Sequence, residues 1–94
     1  MHQLRLTKYQ WSRIHELYDL AYELCVKYPE LRLQCIWDER FFTCILRLPA
    51  SSRNYSTCTV LATLDIDARN YDKYTMLTHS FKVELYKAER QLFQ

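Results

Sequence analysis

Not one of the 94 residues is glycine. Every reversal of the chain must therefore be made at negative φ, by residues that set a turn with their side chains or, like proline, with a fixed φ. Asp, Asn, Ser and two prolines are the turn-makers available. The same absence argues against phosphate-cradling loops and dinucleotide turns, which need a backbone at φ > 0 or one free to approach a ligand closely. No cofactor is expected.

The length suits a single compact domain spanning residues 1–94, large enough to fold without metals or disulfides but with little core to spare. Half the residues are apolar, a quarter are charged and the net charge is only +2, so the composition is that of a globular chain and its charge names no partner. The start, MHQLRLTKYQ, carries no apolar leader segment, and no run approaches the roughly 18 apolar residues of a membrane span. A cytoplasmic, unprocessed protein is the expectation, with no membrane contact.

Thr7 to Gln10 reads as a capping box, with Leu6 and Trp11 placed for a hydrophobic staple, so a helix should begin near Lys8. Ile14, Leu17, Tyr18, Ala21, Leu24, Cys25 and Tyr28 then recur at spacings of three and four, and Pro29 ends the run. Arg13, Glu16, Asp19, Glu23 and Lys27 form the solvated side. LRLQCIWDERFFTCILRL, residues 31–48, reads as a hairpin turning at Asp38-Glu39, with Cys35 opposite Phe42, Leu33 opposite Cys44, Leu31 opposite Leu46 and Ile36 opposite Phe41. That register turns Leu31, Leu33, Cys35, Trp37, Phe42, Cys44, Leu46 and Leu48 to one face. After a loop at PASSRNYS, TCTVLATLDID alternates as a third strand, with Cys58, Val60, Ala62, Leu64 and Ile66 inward.

A last helix should follow an Asp67 or Asn70 cap and pack through Tyr74, Leu77, Phe81, Leu85, Ala88 and Leu92. The fold class is α+β: one two-layer domain, α-β-β-β-α, with a three-stranded antiparallel meander packed on two helices. A short extra strand at Gln3 to Leu6 is a further expectation.

All four cysteines, Cys25, Cys35, Cys44 and Cys58, fall on core-directed positions. Free thiols behave there as small buried hydrophobes, and no close pair such as C-x₂-C suggests zinc. No metal site is expected.

The last helix carries a second apolar stripe, Met76, His79, Val83, Tyr86 and Phe93, on the side away from Leu77 and Phe81. A helix apolar on two sides is usually buried between layers. Either the first helix covers that stripe or another molecule does. The outer sheet face, with Ile36, Phe41, Ile45, Leu61 and nearby Tyr55, is a second candidate contact surface. Together these point to a small non-enzymatic interaction protein, an accessory subunit, inhibitor or adaptor, that works as a homodimer or as the partner of another protein.

Enzyme chemistry has little to build on. His15-Glu16 is not part of an H-E-x-x-H, and His2 and His79 have no evident nucleophile or second ligand. Asp65 and Asp67 could present two carboxylates to a hard cation, but Asp67 equally reads as a helix cap. No catalytic residue is assigned.

The order of elements, over about residues 8 to 93, resembles that of the double-stranded RNA-binding domain, a three-stranded sheet with two helices on one face. The resemblance implies shape-based RNA recognition, with phosphates held by cations at the start of the second helix. In DIDARNYDKY those positions hold Arg69 and Lys73, among Asp65, Asp67 and Asp72. The lysine cluster and glycine turns of that family are not found here. Nucleic-acid binding is thus the alternative to the protein-interaction reading.

Overall fold

The structure, a computed structural model, describes residues 4–49 and 59–93. Helix α1 (Lys8–Lys27) begins at the expected capping box. The Thr7 N–H donates to Gln10 Oε1 at 2.9 Å and the Gln10 N–H donates to Thr7 Oγ1 at 3.1 Å, so two otherwise orphaned donors at the helix start are satisfied. Three strands follow, β1 (Arg32–Trp37), β2 (Phe41–Leu48) and β3 (Thr59–Asp67), then a single 3₁₀ turn at Tyr71–Lys73 and helix α2 (Tyr74–Phe93). The sheet is an antiparallel meander in the order β1-β2-β3, so the α+β fold predicted from the sequence is the one observed.

The glycine-free turns work as required: among the described residues no φ is positive. Asp38 Oδ1 accepts the Arg40 N–H at 2.6 Å in the hairpin, and Asp67 Oδ1 accepts the Arg69 N–H at 2.8 Å after β3. Asn70 Oδ1 accepts the Asp67 N–H at 2.8 Å. Side chains hold both of these bends at negative φ.

The core lies between the helices and one sheet face. Ile14, Leu17, Ala21 and Leu24 come from α1; Phe42, Cys44, Leu46, Ala62, Leu64 and Ile66 from the sheet; and Tyr74, Phe81 and Leu85 from α2. Tyr74 is tied to α1 as well, donating its hydroxyl to the Gln10 carbonyl at 2.9 Å.

Four expectations need correction. In the hairpin Cys35 faces Cys44, Leu33 faces Leu46, Ile36 faces Thr43 and Trp37 faces Phe42, a slip of two residues from the predicted pairing. Such a slip leaves every side chain on its original face, so hydrophobic patterning is blind to it; the Asp38 turn, which recruits Arg40, decides. Val60 points outward instead of inward, because an irregularity at Leu46/Arg47 inserts a residue and pairs Val60 with the outer-face Arg47. Val60 is accordingly exposed. Residues 4–6 form no strand, although Leu4 is buried and donates its N–H to the Glu39 carbonyl at 2.7 Å. Finally, no side-chain cap starts α2: Asn70 precedes the 3₁₀ turn, but its side chain bonds Asp67 and Asp65 instead. The readings at Gln3, Tyr55, Cys58 and most of the PASSRNYS loop lie outside the described residues.

Candidate functional site

The two free edges of the sheet are treated differently by the chain. In an antiparallel ladder, alternate residues direct their N–H and C=O groups away from the neighbouring strand. On β3 the outward groups belong to Thr63 and Asp65. Glu84 of α2 reaches round the edge to accept the Thr63 N–H at 3.2 Å, and Asn70 Nδ2 donates to the Asp65 carbonyl at 3.0 Å. The Thr63 N–H and the Asp65 carbonyl are thereby met from within the molecule.

On β1, the Asp38 N–H donates to the Phe41 carbonyl at 3.0 Å, which fixes the alternation. Ile36, Gln34 and Arg32 then bond β2, while Leu33, Cys35 and Trp37 direct their backbone groups to the free side. No described residue meets those groups.

Beside this edge the inner face is only half covered. Leu33 and Cys35 are half-buried and Trp37 is 65% exposed, whereas the matching inner positions of β3, Ala62, Leu64 and Ile66, are fully buried. A cleft of about 530 Å³ opens here between α1 and β1, lined by Trp11, His15, Tyr18, Cys35, Trp37 and Phe42. Trp11 holds its wall, packed edge-on to Phe42 at 6.1 Å and tilted against Trp37 at 6.4 Å between ring centroids. Tyr18 stacks on Tyr22 at 6.4 Å. Trp11, His15, Tyr18, Tyr22 and Val26 recur at spacings of three and four, forming a stripe on α1 that adjoins its buried stripe. Tyr22 and Val26 are mostly exposed.

The thiols near the cleft are held protonated. Burial raises Cys35, and raises Cys44 to about 12 with the neighbouring Cys35 adding to the effect; burial raises Cys25 as well. A protonated thiol is a poor nucleophile and a poor metal ligand.

The residues singled out from the sequence fall elsewhere. On α2, Met76, Tyr86 and Phe93 are half to four-fifths exposed, His79 is exposed and Val83 half-buried, so α1 does not cover the second stripe. The stripe is also divided: Tyr86 borders a shallow groove against α1 together with Leu20 and Leu24, and Phe93 lies beside Lys27, Glu89 and Arg90, where Lys27 pairs with Glu89 at 3.7 Å. Ile36, Phe41 and Ile45 do share the outer sheet face, but polar pairs interrupt them. Arg47 donates to the Gln34 side chain, and Thr43 donates to Asp65 at 3.0 Å.

Beside the hairpin end of the sheet, Arg69 is extended into solvent with its guanidinium 3.4 Å from Asp67, and Lys73 is exposed. The Arg69 N–H and guanidinium hold the Asp67 carboxyl below its usual range. Asp65 and Asp67 are thus engaged in cross-strand and turn bonds, and among the described residues no three metal-ligating side chains come together. None of the described helices is long and apolar enough to cross a membrane.

Sequence reasoning passed over Trp11, Tyr22, Val26 and the β1 edge as a contact surface. The signal was present in the width of the apolar arc on α1, which exceeds one seam. Compared with known proteins, the chain matches no family model, no curated protein and no solved structure.

Proposed function

We propose that this chain is a small non-enzymatic protein-interaction module whose contact surface is the β1 flank. The observation that carries this reading is the unequal treatment of the two sheet edges. An unprotected edge offers a row of N–H and C=O groups to another chain, and native proteins usually cover such edges when association is to be avoided. Among the described residues, side chains meet two of β3's outward groups and none of β1's, and β1 lies beside an aromatic cleft. Main-chain bonds at such an edge supply affinity, and side-chain pockets next to it supply specificity. Tryptophan and tyrosine at the centre with arginine near the rim is the composition that interface energetics favours.

The α2 stripe ranks behind this surface, because its apolar side chains are divided and its helix already satisfies its own backbone. Double-stranded RNA binding through Arg69 and Lys73 ranks lower still. Asp67 neutralises Arg69 at close range, and three carboxylates flank the two cations, which weakens attraction for phosphate.

A photoreactive amino acid at position 37, compared with one at position 76 on α2, tests the reading in cells. Protein adducts should form from position 37. Adducts confined to position 76 would move the interface to α2, and none from either position would overturn the interaction reading.

A further inference from the structure

We infer that Cys35 and Cys44 form a redox-active dithiol. Cys35 reacts with a low-molecular-weight disulfide that enters the cleft between α1 and β1, and Cys44 resolves the adduct to a cross-strand disulfide.

The hairpin register brings the pair together. Cys35 lies directly opposite Cys44, and both side chains are on the inner face. Gln34 and Ile36 carry the bonds to β2, so Cys35 and Cys44 form a non-hydrogen-bonded pair. In such pairs opposing side chains approach most closely and the Cα atoms stand about 4.5 Å apart. A disulfide spans Cα separations of about 4.4–6.8 Å, so the bond can form without a change of register. Both cysteines are free thiols, and they already interact. Burial raises Cys35 and hydrogen bonding to Cys44 works against that rise, whereas burial and the neighbouring Cys35 together carry Cys44 to about 12. Cys25 acts on Cys44 through charge alone.

Access divides the roles. Cys35 is half-buried and lines the cleft of about 530 Å³, while Cys44 is 1% exposed. A small disulfide, RSSR, therefore meets Cys35 first. The Cys35 thiolate attacks one of its sulfurs, forming a mixed disulfide with RS and releasing RS⁻. Cys44 then loses its proton and attacks Cys35 Sγ; the bond between Cys35 and Cys44 forms and the second RS⁻ leaves. The two thiols have given up two electrons and two protons, and RSSR has become two RSH. Because both thiols are held protonated, the exchange runs through a small thiolate fraction and is slow. Its product ties the edge strand β1 to the central strand β2.

Treating the folded chain with glutathione disulfide and mapping its tryptic peptides tests this. Trypsin cuts after Arg32, Arg40 and Arg47, which puts Cys35 in the peptide 33–40 and Cys44 in the peptide 41–47. In the wild type these two peptides should appear as one cross-linked species, two hydrogens lighter than their sum. Cys44→Ala should stop at a glutathione adduct on Cys35. In Cys35→Ala, Cys44 should react at least about tenfold more slowly than Cys35 does in the wild type, because burial shields it. Circular dichroism checks that each protein is folded, and the wild-type map decides the matter even where a variant fails to fold. A folded wild type that does not react, disulfides that join other cysteines, a lasting adduct on Cys35 beside a free Cys44, or a cross-link formed only in urea would each overturn the proposal. So would a Cys44 that reacts in folded Cys35→Ala as fast as Cys35 does in the wild type.

Discussion

The two edges of this small sheet descend from the same alternating pattern and end in opposite conditions. At β3, α2 lies over Ala62, Leu64 and Ile66, and Glu84 and Asn70 take up the Thr63 N–H and the Asp65 carbonyl. At β1, α1 covers the strand incompletely, no described residue meets the outward backbone groups and an aromatic cleft remains. The difference follows from where each helix puts its bulk. Phe81, Leu85 and Tyr74 fill the β3 side of the core, while the large side chains nearest β1, Trp11 and Tyr18, sit on the flank of α1 and are half-buried. In so short a chain, packing one side of the sheet closely while the described residues leave the other half-covered concentrates the contact surface in one place.

The largest test of that contrast is Phe81→Ala. Phe81 is fully buried on the β3 side, and its truncation leaves a cavity as well as losing transfer energy, so the unfolding free energy should fall by about 3–5 kcal/mol in a urea titration. A loss under about 1 kcal/mol would show that the β3 side is not the tightly packed one.

A smaller effect probes the strand between the edges. Burial raises the Cys44 thiol to about 12, against an ordinary value of 9.0. Between those values the unfolded chain gives up the proton while the folded chain keeps it, so the folded state binds more protons and stability falls as pH rises. The contribution is whole below about pH 9 and is lost on the way to pH 12, with a slope of at most about 1.4 kcal/mol per pH unit. From about pH 8 to about pH 10.5 that amounts to roughly 2 kcal/mol, absent from Cys44→Ala, when urea titrations of the two proteins are compared. Equal slopes would mean that water reaches the middle strand from the β1 side.

How far the sequence carried the account depended on what each pattern can encode. The capping box, the Pro29 stop and the inner-face residues of β2 were legible because local hydrogen bonds and two-residue periodicity specify them directly. The hairpin register was not, since pairing Cys35 with Phe42 or with Cys44 buries the same faces and only the Asp38 to Arg40 bond separates them. Val60 was misplaced because an irregularity in pairing leaves no mark in hydropathy. The α2 stripe could be read as exposed or covered, a choice that depends on the distance between the helices. The β1 flank was missed for a related reason. Trp37 and Cys35 alternate like core residues, and nothing in the strand itself reveals that α1 falls short of covering them.

Glu84→Ala should convert the closed edge toward the open one. The Thr63 N–H loses its acceptor but keeps access to water, so the stability cost should be about 1 kcal/mol or less. The sharper readout is amide exchange. Thr63 should exchange faster in the variant while the core amide of Leu64, directed to β2, stays slow. Unchanged exchange at Thr63 would show that α2, and not the Glu84 carboxylate, shields the β3 edge.

The smallest expected change in stability comes from the largest side chain on the open flank. Trp37 is 65% exposed, with its ring 6.4 Å from that of Trp11, so Trp37→Ala, measured at a concentration where the chain is monomeric, should cost about 0.5 kcal/mol or less. Phe81 and Trp37 are both large aromatic residues on the inner side of the molecule, and burial alone separates their predicted effects. If truncating Trp37 cost as much as truncating Phe81, the flank would be part of the core and not a contact surface. A small cost in the monomer together with weakened association would place the energy of Trp37 between chains, where the open edge requires it.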